Sequence, residues 1–432
     1  MMKRLIALFL VVAFPLRAEV DITPVTSESG LQAWLVEERS IPFVTLELIF
    51  AGGATIESDD QAGAVNLMTA LLEEGAGDLD AQAFAARTEE LAARISFSSG
   101  RDSVSVSARF LTEDAEAVID HLRLALTEPR FDEQAIARVR GQVLANLRRE
   151  NLDPNTLASR GFARAAFGAH PYGRETNGTP ETVAALDRQA LVSAHQGAIA
   201  RDRVFIGAAG DIGAEELAAL LDRLFEGIPE TGAPIPERAA FLAGPGLEVI
   251  PFDGPQSVVA FGHDGIARDD PDFLTAYVVN EVFGGGRFGT RLMRALREER
   301  GLTYGIGAFL SAGALGESYQ GRLSTDNANV EIVIELLREE WARMARDGIS
   351  AEELERIQTY LTGAYPLRFD GNASIASIMA SMQYQGFDQD YVNIRNDLIR
   401  ALTLEEVNAM AARLYDPEAL FFVVVGQPVG LN

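Results

Sequence analysis

The feature that most constrains the fold is that the sequence runs through the same plan twice. One apolar stretch, Asp202-Arg-Val-Phe-Ile-Gly-Ala-Ala-Gly210, closes on a glycine, and so does Ala419-Leu-Phe-Phe-Val-Val-Val-Gly426. The two closing glycines lie 216 residues apart. A helical pattern precedes each stretch, at residues 182–199 and 403–415, and each half opens with short strand-like runs, 31–37 with 43–50 and 247–251 with 256–263. A period of this size implies two homologous modules of about 210 residues, each able to bury its own apolar faces. Residues 227–237 separate them with three prolines and two glycines, a composition that stops helices and favours an extended connection.

Periodicity fills in the modules. Apolar residues at three-to-four spacing predict helices over 114–126, 132–150, 272–283 and 327–347, several with Asp or Asn at the capping position. Residues 95–111 and 305–323 alternate or carry β-formers and predict strands. The expected fold is α+β: two homologous two-layer modules, each an antiparallel-rich sheet packed with helices. Their expected bounds are 19–226 and 245–432, with a linker over 227–244 and a signal peptide over 1–18.

The signal peptide is read from its order of parts. Lys3 and Arg4 precede an unbroken apolar run, residues 5–14, followed by Pro15-Leu16-Arg17-Ala18. Ten to twelve apolar residues fall short of the roughly 20 that span a bilayer. Cleavage after Ala18 is expected, giving a periplasmic or otherwise exported protein of the bacterial type. It would remove Lys3, Arg4 and Arg17 from a chain whose formal charge is already −26. So acidic a surface repels phosphate backbones and anionic lipid, so neither nucleic acid nor, after cleavage, membrane is an expected partner. The chain has no cysteine, which excludes disulfides, thiolate metal sites and cysteine nucleophiles.

Ordinary catalytic patterns are absent. The four histidines, His121, His170, His195 and His263, show no ligand spacing, and there is no Gly-x-Ser-x-Gly elbow or P-loop. Gly284-Gly-Gly-Arg-Phe-Gly289 satisfies G-x-G-x-x-G, but a helical pattern precedes it where a dinucleotide site needs a strand.

Three landmarks do carry a resemblance. Asn280-Glu-Val-Phe-Gly-Gly-Gly-Arg-Phe-Gly-Thr-Arg-Leu-Met-Arg-Ala-Leu-Arg-Glu-Glu-Arg-Gly-Leu-Thr-Tyr304 resembles the C-terminal-half signature of pitrilysin/insulinase-type (inverted zincin) peptidases. Gly168-Ala-His-Pro-Tyr-Gly-Arg-Glu-Thr-Asn-Gly-Thr179 is similar to that family's His-Pro-x-Gly-Arg segment. Ala51-Gly-Gly-Ala-Thr55, before a helix beginning near Gln61, resembles the approach to its zinc helix. The resemblance covers residues 25–430 in the family's order and implies a clam-shell half.

The family's zinc site is His-x-x-Glu-His plus a glutamate about eighty residues on. Here Gly63-Ala-Val-Asn-Leu-Met-Thr-Ala70 stands in that place. Asn66 replaces the first histidine, Thr69 the glutamate and Ala70 the second histidine, and Asn146 replaces the distal ligand. Residues i, i+3 and i+4 share a helix face, so Asn66, Thr69 and Ala70 stand where the family's two histidines and its base point together. Amides are poor zinc ligands, alanine has no donor and threonine is no carboxylate base, so neither zinc nor another cofactor is expected on this chain. Glu73, Glu74 and Glu150 lie nearby without a histidine.

What the resemblance retains is an arginine and a tyrosine seven residues apart, Arg297 and Tyr304, which in the family reach substrate. Together these features imply a non-catalytic subunit. Its expected partners are a zinc-bearing pitrilysin-type subunit and a peptide or unfolded-protein substrate. The alternative is a scaffold of the same fold with no part in proteolysis.

Overall fold

The computed structural model describes residues 20–431. The expected signal peptide lies outside them. Among the described residues no helix is long and apolar enough to cross a membrane.

The repeat is visible as two open sheets of matching topology. In the first, strands lie in the spatial order Arg94–Ser99, Ser103–Leu111, Phe43–Ala51, Val204–Gly210, Gln32–Glu37, with Thr23–Thr26 added at the edge. In the second the order is Ile306–Ala312, Glu317–Asp326, Gln256–His263, Phe421–Gly426, Gly246–Pro251. Each sheet is antiparallel except for one pair: Gln32–Glu37 runs parallel to Val204–Gly210, and Gly246–Pro251 parallel to Phe421–Gly426. The closing strand of each half therefore slots between its module's opening strands.

Both faces of each sheet are buried, which is why the closing strands read as continuous apolar runs. Phe422 and Val424 enter one core, and Val423 and Val425 enter another. One face is covered by helices of the same half. Helix Val330–Asp347, for instance, buries Trp341 against Phe261 and Phe283.

The opposite faces are covered by helices exchanged between the halves. Helix Pro154–Phe167, from the first half, lays Ala158, Phe162 and Ala166 on the second sheet. Helix Asn372–Tyr384, from the second half, lies on the first sheet, with Met379 and Met382 against Trp34 and Val36. Glycine permits the close approach in both cases. A Cβ at Gly207 would stand 2.1 Å from the Ala376 carbonyl oxygen, and one at Gly161 would stand 2.9 Å from Val423 Cγ1.

Residues 227–244 form no helix or strand and are strapped down along their length. Leu242 N–H donates to the Ala166 carbonyl, Ala239 N–H donates to that of Leu315, and Phe241 packs on Phe162 and Phe167. Close by, Tyr172 joins the halves. Its hydroxyl donates to Asp102 Oδ2 at 2.5 Å and accepts from Leu315 N–H at 2.9 Å. Tyr384 donates to the Asp102 carbonyl at 3.2 Å, so one turn of the first half holds residues from both.

Two local expectations are corrected. The helical pattern over 182–199 is two helices, Pro180–Ala185 and Arg188–Ala198, because Asp187 caps a new start by accepting from Ala190 N–H. The Asp and Asn residues at the heads of the four predicted helices make no side-chain capping bond. Asp132 and Asp272 turn to Arg130 and Arg413 instead.

The close approach at Gly207 makes Gly207→Ala costly, by roughly 1–3 kcal/mol in urea denaturation, because helix backbone must move. Gly141→Ala, at an exposed helical position with nothing within 4 Å, should be neutral or stabilising by about 0.5–1 kcal/mol. Tyr172→Phe should cost about 1–3 kcal/mol in the same assay, since it strands the Leu315 N–H and leaves Asp102 Oδ2 with only the long bond from Ala314 N–H.

Candidate functional site

The region that corresponds to the zinc helix is short. A 3-10 turn, Asp59–Gln61, leads into helix Ala64–Thr69, which starts at Gly63 in the left-handed region (φ 92°). The helix predicted from near Gln61 thus begins three residues later. Two devices hold it. Glu57, buried beneath its start, accepts from Gly63 N–H at 3.0 Å and Val65 N–H at 2.7 Å. Arg174 reaches across to the carbonyls of Ala54 and Glu57 and to Asp59. The His170–Arg174 landmark is therefore a brace for this approach loop. His170 itself accepts from Tyr172 N–H through Nδ1 and bonds the Glu237 carbonyl through Nε2.

The side chains at the four former ligand positions do not suit zinc. Thr69 is buried and donates its hydroxyl to the Val65 carbonyl at 2.7 Å, one turn back in the same helix. Ala70 is exposed and has no donor atom. Asn66 is half-buried and offers only an amide. Asn146 lies on the exposed side of helix Glu133–Glu150, its Oδ1 taken by Arg149. Glu74 is paired with Arg138, and Glu150 with Arg160. No group of three or more His, Asp or Glu among the described residues is placed to hold a metal ion. Two amides, a spent hydroxyl and a methyl group cannot replace three firm zinc donors.

The remaining histidines are structural. His195 bonds the Leu126 carbonyl through Nε2, and burial pulls it down to about 4. His263 accepts from Trp341 Nε1 and bonds the Asp264 carbonyl. His121 stacks on Phe84 and bonds Thr88.

The glycine-rich segment behaves differently. Helix Phe273–Phe283 ends at Gly284, whose carbonyl accepts from Ala308 N–H at 2.7 Å. Arg287 anchors the loop through Glu281 and lies over the Tyr360 ring. Arg291 forms a two-pronged pair with Glu353. Between these anchors and strand Ile306–Ala312 the helix widens to a π-turn over Met293–Glu298, with Glu299 N–H bonded to the Arg294 carbonyl. Such turns are strained and recur at functional sites.

The widened turn and the loop after it display Arg297 and Tyr304. Tyr304 is 85% exposed and belongs to neither a strand nor the core. Arg297 makes no ion pair among the described residues; its guanidinium lies 4.7 Å from the ring centre of Phe288, itself 73% exposed. Phe288 is the residue that sequence reasoning missed. Its signal is a large apolar side chain in a glycine-rich loop, with no periodic partner to bury it. No hydrogen bond joins Arg297 or Tyr304 to the four former ligand positions among the described residues.

Comparison with known proteins agrees with this geometry. The model of insulinase-type M16 peptidases matches residues 34–180, and that of the M16 inactive domain matches residues 185–361. The chain is 24% identical over 430 residues to the non-peptidase homolog YmxG of Helicobacter pylori, covering 98% of each. It is 26% identical over 376 residues to an uncharacterized zinc protease of Mycobacterium leprae, covering 84% of this chain and 82% of that one. The crystal structure of a peptidase M16 inactive domain from Pseudomonas fluorescens superposes with a TM-score of 0.89 at 26% identity, covering 95% of this chain and 99% of that one.

Burial lifts Glu57 from its ordinary range to about 7. Between about 4.5 and 7 the folded chain keeps a proton that the unfolded chain has released, so this contribution to stability is present at low pH and lost as pH rises through 7. The stability difference between wild type and Glu57→Gln should therefore shrink by up to about 3 kcal/mol from pH 5 to pH 8 in urea denaturation. A constant difference would contradict the assignment.

Proposed function

The chain belongs to the M16 family of insulinase-type peptidases, and from that premise we propose that it serves as an exported, non-catalytic subunit that lends substrate-binding groups to a zinc-bearing homologue. The carrying observation is a contrast within one chain. Its metal positions hold side chains that cannot ligate, while Tyr304 and Phe288 stand exposed on anchored backbone and the half-buried Arg297 forms no ion pair among the described residues. A catalytic remnant that had drifted into a core role would be buried or paired.

In this reading the partner's zinc site performs the hydrolysis and this chain forms one half-shell of the chamber. Arg297 offers a rigid fork to a peptide carbonyl or terminal carboxylate. The Tyr304 hydroxyl donates to the carbonyl oxygen as negative charge builds on it, the kind of stabilisation that needs a donor held in advance. Phe288, already beneath the Arg297 guanidinium, gives an apolar contact for a substrate side chain. The amino-terminal pattern of residues 1–18 supports the export assignment.

The purified chain alone should hold substoichiometric zinc and leave an unfolded peptide intact. Mixed with an exported homologue that carries His-x-x-Glu-His, it should raise cleavage of that peptide. Installing Arg297→Ala with Tyr304→Phe should lower kcat by about 10²–10³ without preventing the two chains from co-eluting. Unchanged cleavage by the double variant, with the complex intact, would leave a scaffold role as the better account.

A further inference from the structure

A second concave site lies away from Arg297 and Tyr304, on the helical side of the second half. It is a cavity of about 710 Å³ between helices Phe273–Phe283, Asn372–Tyr384 and Tyr391–Ala401, a volume typical of sites for small organic ligands. Its walls combine apolar and aromatic side chains, among them Phe273, Met382 and Phe387, with the three arginines Arg268, Arg368 and Arg395.

None of these three arginines forms an ion pair among the described residues, and two of them, Arg268 and Arg395, are withdrawn from solvent. Arg395 is only 8% exposed and lies 4.3 Å from the Tyr365 ring centre and 5.9 Å from that of Tyr277. Its guanidinium donates to Asn396 Oδ1 at 3.3 Å and to the Tyr391 hydroxyl, both uncharged acceptors. Arg268 lies 4.3 Å from the Phe273 ring centre, and its buried Nε has no hydrogen-bond partner. Burial without a carboxylate pulls its guanidinium below the ordinary value. Arg368 stands exposed at the rim.

The acids facing the same space are already engaged. Asp270 is held by Arg413, and Glu406 accepts from Thr403 at the start of its helix. Glu281, which feels the charge of Arg395, is bound to Arg287. A desolvated guanidinium without a counter-charge is costly, and aromatic faces offset that cost only in part. The missing partner is an anion, and the apolar walls require that it carry an apolar body.

We propose that this cavity binds an organic carboxylate, its head seated against Arg268 and Arg395 and its apolar or aromatic body against Phe273, Met382 and Phe387. Such a carboxylate comes from a free amphiphile or from the C-terminus of a peptide. The site is separate from the surface formed by Arg297 and Tyr304 and stands whether or not that surface serves a partner.

Isothermal titration of the full chain tests this with two probes, decanoate and N-acetyl-leucyl-phenylalanine, each beside its primary amide. At least one acid should bind with Kd below about 100 μM, and its amide at least about tenfold more weakly. Response to decanoate identifies a free amphiphile as the ligand; response to the dipeptide identifies a chain terminus. Arg395→Gln and Arg268→Gln should each weaken the acid about tenfold. Arg395 is packed between rings, so if that variant does not fold, the less deeply buried Arg268 position decides. The proposal is overturned if neither acid binds, if acid and amide bind alike, or if Arg268→Gln leaves affinity unchanged.

Discussion

The rest of the structure depends on the reciprocal covering of two sheets. Each sheet has two apolar faces and enough helices in its own half to cover one of them. Helix Pro154–Phe167 closes the second sheet and helix Asn372–Tyr384 closes the first. The contact is as close as backbone geometry allows, because glycines stand where the helices touch. Around this exchange the polar groups are matched as well: Tyr172 lies between Asp102 and Leu315, and Gln383 donates to the Ile206 carbonyl from the exchanged helix. The orientation of the halves is therefore set by core packing, which is far stiffer than an ordinary interdomain surface.

That stiffness bears on how the two faces of the chain diverged. The approach to the former zinc helix keeps its braces, Glu57 and Arg174, even though the helix presents no ligand. Those braces also position the turn that supports the sheet, so they serve the fold. The glycine-rich segment is anchored just as firmly, by Glu281–Arg287 and Arg291–Glu353, yet its Phe288 and Tyr304 side chains point outward. One region has retained its frame and lost its chemistry; the other has retained both its frame and an exposed set of polar and aromatic groups.

Much of this was legible in the residues. The doubled plan, the strands ending at Gly210 and Gly426, and the helices over 132–150 and 327–347 follow from periods and punctuation that local physics enforces. The replaced zinc positions were equally plain, since a missing donor is a fact of composition. The exchanged helices were not singled out. Helix Asn372–Tyr384 lies between a sheet and other helices, so Ala376, Met379 and Ala380 are buried while Ile375 and Ile378 face a further apolar layer, and no clean polar stripe remains to mark it. The arginine-lined cavity was invisible for a related reason. Arg268, Arg368 and Arg395 are spread over more than a hundred residues and meet only through tertiary packing.

The exchange also orders events in time. Gly207 and Ala376 touch in the finished protein yet are 169 residues apart along the polypeptide. As the chain emerges from the ribosome, its first sheet must wait, one flank bare, until nearly the last helices have been made. Contacts of such long range form slowly and keep a nascent polypeptide open.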